Sequence, residues 1–175
     1  MKRTLLVVAL VWLGACGTSK ADAPLSTAHS VALKVGDRAP RIAFAGLSGD
    51  TLVVGDSAKS VTLLNIWATW CESCREEFAE LERIRKAQAP NGLNVIAISV
   101  DQGPSERVRR FVQAQGSGFA IAHDADSRIT KLYGVSGLPT SYLLDRAGRV
   151  LWTAIGDFRI DSAGMASAID KALAK

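Results

Sequence analysis

Two thiols stand two residues apart in Cys71-Glu72-Ser73-Cys74. At this spacing they can close on each other as a small reversible disulfide ring. The apolar run at residues 61–66 reads as a buried strand, and residues 75–87 read as a helix. Cys71 is therefore expected at a helix N-terminus, where unpaired backbone N–H groups and the helix dipole favour a thiolate over a thiol. A thiolate is the species that attacks a disulfide. Cys74, one turn further in, is placed to resolve the resulting mixed disulfide. Two other chemistries compete for the pair. Half of a structural zinc site is one, but such a site takes four ligands. The remaining candidates, Cys16, His29 and His123, recur at no finger-like spacing. An inert buried pair is the other, since free Cys often behaves as a small hydrophobe. A Cys-x-x-Cys beside a strand–helix–strand pattern is a redox signature. Redox chemistry, with no metal and no bound cofactor, is the expectation.

The elements that must carry this pair begin after a targeting segment. Lys2 and Arg3 precede the apolar stretch at residues 5–13, and Leu13-Gly14-Ala15-Cys16 follows at once. Nine apolar residues are too few to cross a bilayer, which takes about 20, but they suit a secretory signal. The Cys at the small-residue cleavage site resembles a bacterial lipoprotein box, in which the peptide is cut before the Cys and the Cys carries lipid. Residues 1–15 are thus expected to be a signal peptide. Cys16 is the expected lipidation site, and residues 16–34, small and polar without a clear period, a flexible tether. With Cys16 lipidated, the three cysteines leave only Cys71 and Cys74, so a disulfide in the mature protein is the functional one. The predicted location is the bacterial cell envelope, facing the periplasm or the exterior. That setting is oxidising, so a reducing pair there needs electrons from elsewhere, from a donor embedded in the membrane.

Composition limits the rest. Without residues 1–15 the chain keeps 160 of its 175 residues, one domain's worth. The formal charge of +4 includes Lys2 and Arg3, which leaves +2 on the mature chain. No basic stripe with interleaved aromatics suggests nucleic acid, and a monomer is expected. The domain is predicted over residues 35–175. Residues 42–47 and 51–54, joined through Ser48-Gly49-Asp50, read as a hairpin. The strand at 61–66, the helix at 75–87 and a second buried strand at 93–100 form a right-handed parallel crossover. In that helix Phe78, Leu81 and Ile84 share one side, with the charged residues mostly elsewhere. Ser105 is the expected N-cap of a helix with Val108, Phe111 and Val112 on one face. A strand at 119–122, a short helix at 127–133, strands at 141–144 and 150–155, and a last helix capped by Asp161 or Ser162 complete the chain. Met165, Ile169 and Leu173 line that last helix.

Trp67-Ala68-Thr69-Trp70-Cys71-x-x-Cys74, then Gly137-Leu138-Pro139-Thr140 with a hairpin and helix after it, resemble the thioredoxin superfamily. The N-terminal hairpin and the helix-plus-strand insert between residues 101 and 125 resemble its exported TlpA/ResA-like branch. The resemblance covers residues 35–175. It implies an α/β thioredoxin-like fold, a central mixed sheet flanked by helices with the N-terminal β-hairpin and the insert. It also implies a thiol–disulfide oxidoreductase that reduces disulfides of exported proteins, in much of the family those of apocytochrome c. In the family the Pro corresponding to Pro139 is cis and lies against the Cys pair, and Leu138 would offer its backbone to an extended substrate segment. The alternative is a trans Pro that simply starts a strand. Trp70 is read as shielding the site and packing on a partner, and Trp67 as core. Ser73 stands where Pro is usual in this branch. Asn65 stands where thioredoxin proper has a buried Asp, and it cannot titrate. Glu72 has two readings. It takes over proton handling and raises the Cys71 thiol pKa by like-charge repulsion, or it is a solvated first-turn charge favoured by the dipole. His123 is read as an ordinary surface His. A peroxiredoxin-type reading would need Pro-x-x-x-Thr-x-x-Cys, but Ala68 and Cys71 stand three residues before the two cysteines. A copper-assembly reading would need Cys-x-x-x-Cys, one residue longer than the spacing here.

Overall fold

The structure, a computed structural model, describes residues 32–55, 60–156 and 163–174. The expected signal peptide, Cys16, His29, most of the tether and the Asp161 or Ser162 cap lie outside the described residues.

Two antiparallel strands, β1 (Ile42–Ala45) and β2 (Thr51–Val54), form the N-terminal hairpin with Ile42 opposite Val54. β1 ends two residues before the predicted limit. Gly46 bridges to Ala122, and the Leu47 N–H donates to the Ile121 carbonyl over 2.8 Å. The chain leaves its own hairpin there to pair with the edge of the main sheet. Gly55, with φ +87°, closes β2 where an added Cβ would run into the Pro40 carbonyl.

The main sheet has five strands: β3 (Val61–Trp67), β4 (Leu93–Ser99), β5 (Ala120–His123), β6 (Thr140–Leu144) and β7 (Val150–Ile155). Their order is β5-β4-β3-β6-β7. β3, β4 and β5 run parallel, while β6 and β7 are antiparallel to their neighbours. β3 and β6 are buried at every residue, so both faces of each strand are covered. α1 (Glu72–Gln88) connects β3 to β4, α2 (Glu106–Gln115) connects β4 to β5, and α3 (Arg128–Tyr133) connects β5 to β6. α4 (Ala163–Leu173) follows β7. This is the mixed sheet flanked by helices that the sequence leads one to expect. Among the described residues no helix is long and apolar enough to cross a membrane.

Helix boundaries differ in one instructive place. α1 begins at Glu72, three residues before its apolar period becomes visible. Cys71 is the N-cap, extended at φ −86° and ψ 111°, and its Sγ accepts the Cys74 N–H at 3.3 Å. Ser105 does occupy the N-cap of α2, but its side chain makes no cap hydrogen bond; its hydroxyl accepts from Arg109 Nε instead. Under the start of α1 lies an aromatic cluster. Phe78 packs on Trp67 with ring centroids 4.4 Å apart, on Phe111 of α2 at 5.1 Å and on Phe119 at 5.3 Å. Met165 and Ile169 are buried on α4, and Ala172 joins them, with Leu173 packed at the margin. Leu33 already packs on this core, and its N–H donates to the Tyr133 carbonyl at 3.2 Å.

Candidate active site

The carboxyl end of β3 and the amino end of α1 hold the cysteine pair. Cys71 and Cys74 form a disulfide, with Sγ atoms 2.01 Å and Cα atoms 5.3 Å apart. Cys71 retains 8% exposure and Cys74 none. The outer sulfur therefore faces what approaches the surface, and the inner one lies against the core. The Ser73 hydroxyl stands 3.6 Å from Cys71 Sγ. A disulfide sulfur carries no proton, so Ser73 is the donor, and in the reduced state the same hydroxyl would donate to the thiolate and favour it. Glu72, the first residue of α1, is exposed.

Trp67 and Thr69 are tied down from the residues that follow β4. Asp101, two residues past the end of that strand, is only 3% exposed. Its carboxylate accepts the Thr69 N–H at 2.9 Å, the Thr69 hydroxyl, and the Ser99 hydroxyl at 2.7 Å. Its backbone carbonyl accepts His123 Nε2–H at 2.6 Å, so His123 is engaged with β4. The Val100 N–H donates to the Trp67 carbonyl, and the Cys71 N–H to the Ala68 carbonyl. This bracing fixes a tight turn that leaves Trp67 fully buried and Trp70 66% exposed.

The peptide bond between Leu138 and Pro139 is cis, as the resemblance implies. The Pro139 carbonyl accepts the Gly156 N–H at 2.7 Å, and Thr140 Oγ1 donates to the Gly137 carbonyl at 2.6 Å. The N–H and carbonyl of Leu138 have no partner among the described residues. They border an open groove of about 430 Å³ that includes Trp70, Cys71, Val100, Val135 and residues 136–138. Trp70, Cys71 and Leu138 thus meet at one groove, with Pro139 buried behind it. A larger cavity of about 530 Å³, between α4 and the β6–β7 turn, contains no residue of this site.

Two buried carboxylates beside the pair escape a reading of the sequence. Asp101 is one and Glu77 is the other. Glu77 belongs to the buried side of α1, with Cys74, Phe78 and Leu81, and not to its charged side. Asn65 Nδ2, at the centre of β3, donates to Glu77 Oε2 at 3.2 Å and to Ser141 Oγ of β6 at 2.9 Å. The signal was available: Glu77 lies three residues after Cys74 and four before Leu81, so all three share one helix face. Tyr133 and Phe119 are buried, and Trp152 packs at the core margin.

A five-stranded mixed sheet with a Cys-x-x-Cys disulfide at a strand-to-helix junction, opposite a cis proline, defines a thioredoxin-like thiol–disulfide oxidoreductase. Residues 35–153 match the family model described as AhpC/TSA family. The thiol-disulfide oxidoreductase ResA of Bacillus thuringiensis (strain Al Hakam) is 31% identical over 125 residues, 71% of this chain and 72% of the relative. ResA of Bacillus subtilis (strain 168) is 28% identical over 158 residues, covering 89% and 87%. A crystal structure from Chlorobium tepidum, described as a thiol:disulfide interchange protein DsbE, superposes with a TM-score of 0.72. It is 33% identical and covers 81% of this chain and 99% of its own. The chain belongs to the AhpC/TSA family, and within it to the thiol–disulfide oxidoreductases of ResA and DsbE type.

Proposed function

We propose that the protein reduces disulfides of exported proteins from a lipid anchor on the cell envelope, with Cys71 as nucleophile and Cys74 as resolving thiol. The observation that carries this reading is the asymmetry of the pair, one sulfur at the groove and one fully enclosed. In the reduced protein the Cys71 thiolate attacks one sulfur of the substrate disulfide. A Cys71–substrate disulfide forms and a substrate thiolate leaves. The Cys74 thiolate then attacks Cys71 Sγ, restores the Cys71–Cys74 disulfide and releases the second substrate thiol. Two electrons pass to the substrate, and a membrane-embedded dithiol donor returns them to the pair. Leu138 pairs its free backbone groups with an extended substrate segment, Pro139 sets the turn behind it, and Trp70 packs against the partner. The apocytochrome c haem-binding cysteines are the narrower substrate reading. It rests on the family resemblance. Reduction of an exported protein's disulfide by the purified, reduced protein tests the activity. Absence of turnover with the pair shown to be reduced would overturn it.

Glu72 shares the helix end with Cys71, and its charge opposes a second negative charge there. Solvent screens an exposed carboxylate, so the influence is modest. Glu72→Gln is expected to lower the pH at which Cys71 becomes alkylated, read from alkylation rate against pH. Coincident curves would leave Glu72 as a solvated first-turn charge.

The anchor is tested separately. Cys16→Ala is expected to move the protein from the membrane to the soluble fraction, or to block its processing. A normally processed, membrane-bound variant would contradict lipidation at Cys16.

A further inference from the structure

The exposed indole of Trp70 separates two grooves. One holds Cys71 and Leu138. The other, also about 430 Å³, is lined by Trp70, Val100, Asp101, Gln102, Arg107 and Ser127. Trp70 and Val100 border both, so an extended chain lying across Cys71 can continue around the indole into the second groove.

The second groove has a different chemistry. Asp101 keeps its charge but is only 3% exposed, and both of its carboxylate oxygens accept from Thr69 and Ser99, so it is turned to these donors and not offered to a ligand in the groove. The exposed Arg107 guanidinium forms no hydrogen bond or ion pair among the described residues. Arg109 on the same helix is held by the Leu47 carbonyl and Ser105, and Arg128, next to Ser127 in the chain, by Asp124. Ser127 supports the site from the other side. It is the one non-glycine among the described residues with positive φ, +52°. Its N–H donates to Asp124, and its carbonyl accepts the Thr130 hydroxyl and the Lys131 N–H. The backbone is locked in this conformation, and the Ser127 hydroxyl is left without a partner among the described residues. A left-handed serine persists only where its surroundings hold it.

An unpaired guanidinium with hydroxyl and amide donors around it fits a carboxylate, which Arg binds through two parallel N–H groups. We infer that this groove is a substrate-specificity subsite. It takes an Asp or Glu side chain on the exported substrate, a few residues along the extended segment from the cysteine under attack. The inference rests on the thiol–disulfide reading of the Cys71 groove and adds a preference among its substrates.

The test uses the reduced full-length protein in detergent and disulfide-linked peptides that differ only three residues from the cysteine, carrying Glu, Gln or Lys. Reduction is expected to be fastest for the Glu peptide and slowest for the Lys peptide. A roughly tenfold spread at low salt, falling as salt screens it, is expected for a partly exposed pair. The Gln peptide is the internal reference for each variant. Arg107→Gln should collapse the spread, and Arg107→Glu should reverse its order. The same order in Arg107→Glu as in the parent, or no spread in the parent, overturns the subsite while leaving the Cys71 chemistry intact. Failure of the parent to reduce any of the three overturns the oxidoreductase reading and the subsite with it.

Discussion

Cys71→Ser is expected to lower disulfide reduction by roughly a thousandfold or more, because a serine hydroxyl at neutral pH has no thiolate to attack with. Cys74→Ser should behave differently. Cys71 can still attack, but nothing resolves the adduct, so the protein should accumulate as a mixed disulfide with its substrate. The contrast follows from burial: the groove reaches Cys71, while Cys74 is sealed beneath it. Non-reducing electrophoresis of the two variants after exposure to a disulfide substrate is the check. Equal trapping by both would mean that the two sulfurs are equivalent and that their assigned roles do not hold.

Asp101→Ala is expected to destabilise the fold by about 2–4 kcal/mol. The substitution strands the part-buried Thr69 N–H, and an unsatisfied donor costs up to about 1–3 kcal/mol when buried. The Thr69 and Ser99 hydroxyls also lose their acceptor, though each can rotate toward another. Asp101→Asn should cost less. An amide keeps one acceptor for the Thr69 N–H, and its NH₂ can donate to a rotated hydroxyl. The measurement is the denaturation midpoint of all three proteins at an unchanged m value. An alanine variant within about 0.5 kcal/mol of the parent, the scale of an ordinary surface change, would show that this carboxylate does not hold the turn before Cys71.

Much of this molecule is legible along the chain because its signals are local. The Cys71–Cys74 spacing, the largely apolar runs of β3 and β4 and the glycine-containing hairpin turn each need only a few neighbouring residues to be read. Asp101 is different. It stands 30 residues after Cys71 and meets Thr69 only because β4 runs parallel to β3 and ends at the same edge of the sheet. That edge is where the carboxyl ends of parallel strands gather functional groups, so topology, once known, would have pointed to it. Glu77 was hidden by its type. A carboxylate in a charged run reads as solvated, and its place on one helix face with Cys74 and Leu81 is the local sign, completed by its match with Asn65 across 12 residues, that it is buried. The first turn of α1 was invisible to periodicity, since its contribution is a sulfur cap and not an apolar contact. Arg107 and Ser127 belong to different elements, and nothing in either stretch announces that they line one groove.

The order in which the two thiols react tests the central claim most directly. The fully reduced protein is mixed with a limiting amount of iodoacetamide at neutral pH, and the alkylated peptides are quantified. Labelling of Cys71 is expected to exceed that of Cys74 by tenfold or more, roughly 1.4 kcal/mol or more in relative barrier. Equal labelling, or labelling of Cys74 first, would contradict the assignment of Cys71 as the attacking sulfur.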